Sequence, residues 1–188
     1  MDKKVWVVGG GLFLIALFLA TLGNFYTGYS ILEQDKISLQ YYPYPFVKNN
    51  VPNNVLVVIP YDYTYDEFNA ANEIATSLKG KNLAAPLVVT DKEIPSGEHN
   101  LILIGNPCNN VLISRALATV DCSSDLESGQ GILKLINNDR TSTLVVSGHD
   151  RNDIHKALIV LTNYNFYPLM GESILVEGEV GNLVLNYK

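Results

Sequence analysis

Four residues of chemically capable type fall at comparable places in the chain: Asp62, Asp91, Asn106 and His149. Each follows a short apolar run, respectively NVLVVIP, APLVVT, NLILIG and TSTLVVSG. If those runs are parallel strands of one sheet, their carboxyl ends form the crevice where open α/β sheets bind ligands. A histidine and two or three carboxylates there could make an acid–base or metal site. Turn chemistry explains the same residues more simply. Asp, Asn and Gly are what a strand-to-helix loop uses, Asp150 or Asn152 can cap the helix that follows, and His149 then serves only as a loop residue. No spacing binds the four into one device. The chain has no G-x-S-x-G elbow, no P-loop and no H-E-x-x-H, and His149 and His155 are six apart, off a shared helical face. The expectation is a protein that is not an enzyme, with no catalytic residue, no cofactor and no metal. A ligand crevice at Asp62, Asp91, Asn106 and His149 is the alternative.

Cys108 and Cys122 are the only two cysteines. Cys108 follows Pro107 at the expected start of a helix, a setting that lowers a thiol pKa. Outside a cell an even cysteine count points instead to a bridge, which would close a loop of about 15 residues and contribute about 3 kcal/mol in the chain-entropy treatment. The alternative is a pair of buried free thiols. With no histidine near either cysteine, a four-ligand metal site is not expected.

The elements that would position these residues alternate along the chain. Valine-rich 54–60 reads as a buried strand, and 64–80 as a helix with a stripe of Phe68, Ala71, Ala75 and Leu78. Thr64 and Glu67 have the spacing of a capping box, and Gly80 is a natural C-cap. Residues 85–91 and 100–106 read as strands and 108–120 as a helix. Two more strands, 131–138 and 141–148, flank the turn Asn137-Asn138-Asp139-Arg140. Residues 151–164 read as a helix with Ile154, Ala157, Leu158 and Leu161 inward, and the tail alternates weakly, as edge strands do. Strands alternating with helices imply an α/β three-layer sandwich with a mixed, mainly parallel sheet.

Ahead of this domain, Val5 to Leu22 carries no charge over 18 residues. As a helix it would span about 27 Å, close to the hydrocarbon thickness of a bilayer. Gly9 and Gly11 begin a dinucleotide-type turn, but its third glycine is Leu14 and the following segment is apolar on every face. Trp6 at one end and Phe25, Tyr26 and Tyr29 at the other match the aromatic belts of two interfaces. One N-terminal transmembrane helix is therefore expected within an anchor at 1–29, uncleaved because small residues at a cleavage site are poorly placed. Lys3 and Lys4 put the N-terminus in the cytoplasm and the rest outside, in a single-pass topology. Residues 30–54, with Pro43, Pro45 and Pro52, read as an extended Pro/Tyr-rich stalk, and 55–188 as the extracellular α/β domain. A pilin-like fibre subunit is a weaker reading, because the glycine cleavage site and early glutamate of such subunits are missing. Beyond the first four residues, 11 Lys and Arg face 18 Asp and Glu, which disfavours nucleic acid as a partner.

The stretch from about 55 to 164 resembles a domain of archaeal surface-layer proteins and related cell-surface proteins. The likeness rests on LILIGNPCNN, the second cysteine Cys122, and GQGILKLINNDRTSTLVVSGHDRNDIHKALIVLTNY. The points that align are Gly105, Pro107, Cys108, Cys122, Gly131, Gly148, Asn163 and Tyr164. The resemblance implies a non-enzymatic, structural or interaction role on an archaeal cell surface. Surface-layer proteins are usually far longer and held by a C-terminal segment. A chain this short, held at its N-terminus, fits an accessory subunit of a surface or membrane complex, with a protein partner, better than a lattice former.

Overall fold

The computed structural model describes residues 37–80 and 82–188. The expected membrane span, Val5 to Leu22, lies outside the described residues. Among the described residues no helix is long and apolar enough to cross a membrane. Residues Ile37–Lys188 form one compact unit.

The unit is built on a seven-stranded sheet. Its strands are β3 (Val55–Ile59), β4 (Leu87–Thr90), β5 (Asn100–Ile104), β6 (Gly131–Asn137), β7 (Ser142–Gly148), β8 (Ser173–Glu179) and β9 (Asn182–Tyr187), in the order β4-β3-β5-β7-β6-β8-β9. A separate two-stranded ribbon, β1 (Val47–Lys48) with β2 (Val51–Pro52), precedes it. Asn49 and Asn50 turn that ribbon at φ of 52° and 61°, the left-handed pair a tight hairpin needs.

The sheet is mixed, as expected, but not mainly parallel. The β3–β4, β3–β5 and β5–β7 pairs are parallel; the β6–β7, β6–β8 and β8–β9 pairs are antiparallel. The tail is the reason: its two strands extend the sheet as a full hairpin beyond β6. Strand β7 divides a parallel half from an antiparallel half.

Side-chain alternation sorts the core into two layers. Val55, Val57 and Ile59 of β3, with Ile102, Leu133, Leu144 and Ile174, pack against helices α1 (Tyr65–Ser77) and α3 (Arg151–Thr162). Leu56, Val58, Leu103 and Val145 pack on the other face against Ile113 of α2 (Val111–Leu117). The capping box forms as read. Glu67 N donates to Thr64 Oγ1 at 3.2 Å, and Thr64 N donates to Glu67 Oε2 at 2.7 Å. Gly80 is not the cap; Leu78 occupies that position and Gly80 instead lies against the Asn50 carbonyl. Phe68 is 40% exposed, so the inward stripe of α1 is Ala71, Ile74, Ala75 and Leu78.

Residues 37–54, read as an extended stalk, supply part of the core. Leu39 and Phe46 are each 1% exposed, and the Tyr42 ring meets Tyr164 edge-on at 4.8 Å. The Tyr42–Pro43 and Tyr44–Pro45 peptides are both cis. Prolines forbid regular helix here without preventing burial, because the flanking side chains of Tyr42 and Phe46 reach the α1/α3 layer while Tyr44 stays exposed.

Candidate functional site at the strand ends

Three parallel strands deliver short loops to one end of the sheet. β3 leads to Tyr61-Asp62, β4 to Asp91-Lys92, and β5 to the turn beginning at Gly105. Between them lies an open cleft of about 400 Å³, lined by Tyr61, Asp62, Asp91, Lys92, Cys108 and Asn109 among others. Lys92 holds its Nζ 3.8 Å from the centre of the Tyr61 ring, a cation–π contact. Asp91 accepts from Val111 N at 3.4 Å through Oδ2, at the start of α2, while its Oδ1 is buried and unpartnered.

The cleft wall is local turn chemistry. Asn106 Oδ1 accepts from Cys108 N (3.0 Å) and Asn109 N (3.1 Å), and Asn109 Oδ1 accepts from Asn106 N at 2.7 Å. Asn110 caps α2 through Leu112 N at 3.1 Å and donates Nδ2 to the Ile104 carbonyl. Gly105, at φ 128°, permits this fold-back. A β-carbon there would fall 2.6 Å from Asn109 Oδ1 and 2.9 Å from Pro60 Cγ. Cys108 and Cys122 are joined, with Cα atoms 5.0 Å apart. The bridge ties the loop before α2 to the loop after it and leaves no thiol in the cleft.

The four residues read from sequence therefore part company. Asp62 and Asp91 share the cleft. The Asn106 side chain is spent on its own turn and does not line it. His149 follows β7 at the same end of the sheet, beyond β5, but does not line this cleft, because the chain turns there directly into the α3 cap. There His149 N donates to the Gln130 carbonyl at 3.0 Å. One ligand atom each from His149, Asp150 and Asp153 lie within 4.8 Å of one another, a grouping able to hold a metal ion. The carboxylates already carry structural bonds. Asp150 Oδ1 accepts from Asn152 N (2.8 Å) and Asp153 N (3.1 Å), capping α3. Asp153, 2% exposed, takes Lys156 Nζ at 2.8 Å on one oxygen and Gly129 N at 3.0 Å on the other. Nearby, the Ser123 side chain donating at 2.6 Å holds the fully exposed Asp121 carboxyl below its usual range. The Ser123 backbone and the charge of His149 act in the same direction.

Sequence reasoning passed over an aromatic surface beside the cleft. Tyr61, Tyr63, Tyr65 and Phe68 are 40% exposed or more, and Tyr63 stacks on Phe68 with centroids 5.6 Å apart. The signal was the run YDYTYDEF, whose spacing was used up by the reading of a helix cap.

No curated protein sequence matches the chain. A family model, that of the S-layer like family, outer domain, matches residues 53–165. The match runs from the entry into β3 to just beyond α3 and takes in the disulfide, the cleft and the α3 cap. Covering more than half of the chain, it shows that the protein belongs to the S-layer like family, outer domain.

Proposed function

We propose that this is an archaeal, membrane-anchored cell-surface protein whose α/β domain faces outward and makes structural contact with a protein partner, rather than carrying out catalysis. The observation that carries the reading is the family match over 53–165, since S-layer-like domains serve a structural role at the cell surface. The disulfide agrees with an oxidising exterior. The uncharged run from Val5 to Leu22 is the proposed anchor. The exposed tyrosines at 61, 63 and 65 are the proposed contact surface, because aromatic residues are enriched in interfaces. The test is protease treatment of intact cells, followed by detection of the N-terminus and of the domain. An outward, anchored domain is shaved from intact cells, leaving an N-terminal fragment in the membrane. A domain protected until lysis, or a mature chain starting near Asn24, overturns the topology.

A second reading, a small-ligand or peptide binding module, draws on Lys92 over Tyr61 at the mouth of the cleft. Titrating the protein with small polar ligands while following the Tyr61 ring resonances separates the two. A saturable shift supports binding, and an unmoved ring removes this reading.

A further inference from the structure

Strand β9 forms one edge of the sheet, and among the described residues its outer side is unguarded. Sheet edges are ordinarily blunted by Lys, Pro, a bulge, or a covering loop. The opposite edge follows that rule: β4 is four residues long and begins directly after Pro86. β9 is six residues, Asn-Leu-Val-Leu-Asn-Tyr, with neither a charge nor a proline. Lys188 N donates to the Ser173 carbonyl, and Asn182 pairs with Glu179 across the hairpin. By the alternation of an antiparallel ladder, residues 182, 184, 186 and 188 turn their backbone groups to β8, and 183, 185 and 187 turn theirs outward. Among the described residues, no hydrogen bond reaches the backbone of Leu183 or Leu185 from that open side.

The sequence of this edge reads the same in both directions. Asn182-Leu183-Val184-Leu185-Asn186 is a palindrome about Val184. We propose that β9 pairs with β9 of a second copy of this chain, antiparallel across a two-fold axis at Val184, joining two sheets into one. In that register Leu183 faces Leu185 of the other copy, and both are outward-bonding residues, so their N–H and C=O groups match twice over. The leucine side chains lie on the core side, where Leu183 and Leu185 already pack at its margin. Two-fold pairing therefore sets four leucines together and continues the apolar layer. Val184, 50% exposed, meets its own copy on the other face, and Asn182 meets Asn186. An uncharged strand brings no like charges together, although the chain as a whole carries a net charge of −6. A two-fold contact needs one patch that complements itself, and a palindromic strand is the simplest case. The proposal does not depend on where the protein resides.

The test is cysteine crosslinking in the full chain. Val184 sits at a non-hydrogen-bonded pair, where opposed Cα atoms are about 4.5 Å apart, within the span a disulfide bridges. Val184→Cys is expected to give a covalent dimer under mild oxidation. Asn186→Cys, equally on the surface, is offset from its own copy by four residues, or about 13 Å, and should give at least tenfold less. Val184→Lys places two ammonium groups on the axis and should convert the native species to a monomer in sedimentation velocity, with the far-ultraviolet spectrum unchanged. No dimer from Val184→Cys, equal yields from both cysteine variants, or an association unmoved by Val184→Lys would each overturn the proposal.

Discussion

Gly131 and Gly148 stand opposite each other across the β6–β7 ladder, and the first turn of α3 rests on the pair. A β-carbon on Gly131 would lie 2.4 Å from the Asp153 carbonyl oxygen, and one on Gly148 would lie 2.4 Å from Ile154 N. Neither glycine has a left-handed φ, so the requirement is for space rather than for backbone freedom. Both obstacles are helix backbone, which cannot swing aside. Gly131→Ala and Gly148→Ala are each expected to cost about 3 kcal/mol, the upper end for overpacking, read from urea midpoints at unchanged slope.

The same turn carries a buried ion pair. Asp153 is almost wholly enclosed, and Lys156, one turn on, meets it at 2.8 Å with 15% of its side chain exposed. Removing one partner strands the other charge and frees the Gly129 N–H. Asp153→Ala is expected to lose about 3 kcal/mol, and Asp153→Asn, which keeps an acceptor for Gly129, about half of that. For a domain of this size the first loss lowers Tm by roughly 6–12 °C, measurable by calorimetry.

Alkaline pH should act through Tyr42. Burial, and secondarily the neighbouring Tyr164, push its phenol well above the ordinary value of 10.0. Ser77 opposes this only weakly, since its hydroxyl donates to the Ile74 carbonyl at 2.7 Å, and the Tyr42 hydroxyl has no partner of good geometry. Above pH 10 the unfolded chain releases this proton and the folded chain retains it. Stability therefore falls as pH rises through that region, by about 1.4 kcal/mol per pH unit from this group. Tyr42→Phe should remove that part of the slope while changing stability little at neutral pH, because the hydroxyl contributes no bond. Chemical denaturation of both forms between pH 8 and 11 measures the difference.

The disulfide should matter to stability and little to shape. It closes a loop spanning 14 positions around α2. Replacing both cysteines by serine is expected to cost about 3 kcal/mol, seen as a lower urea midpoint. The β3, β5 and β7 amides should keep their exchange protection up to the reduced global stability.

Much of this was legible because local chemistry and tertiary demand agreed. Val55–Ile59 is a strand on either ground, and the Thr64–Glu67 box starts α1 where its spacing says. The tail was harder, since Val184 puts an apolar residue on the exposed face of Asn182–Tyr187 and blurs the alternation that its one covered face would otherwise give. The parallel and antiparallel balance follows from which strands become neighbours, information no single segment holds. At the strand ends, Asp62 and Asp91 line one cleft because β3 and β4 are adjacent. His149 stands at the same sheet end but outside the cleft, because Asp150 caps α3 immediately and carries the loop away. Tyr42 and Phe46 were unreadable for another reason: prolines report the path of a backbone, and burial depends on what lies beneath it.

The first described residues are held by some of the last. Asn137 Nδ2 donates to the Ile37 carbonyl, Tyr42 rests on Tyr164, and Leu39 N donates to the Gly171 carbonyl at 2.8 Å. During synthesis Leu39 precedes its Gly171 partner by 132 positions. At 5–20 residues per second that is a wait of roughly 7–26 seconds. For that time Leu39, Tyr42 and Phe46 have no finished layer to enter, so the nascent domain carries uncovered apolar residues where it begins. Whatever receives this domain as it emerges must shield that end until the chain beyond α3 has been made.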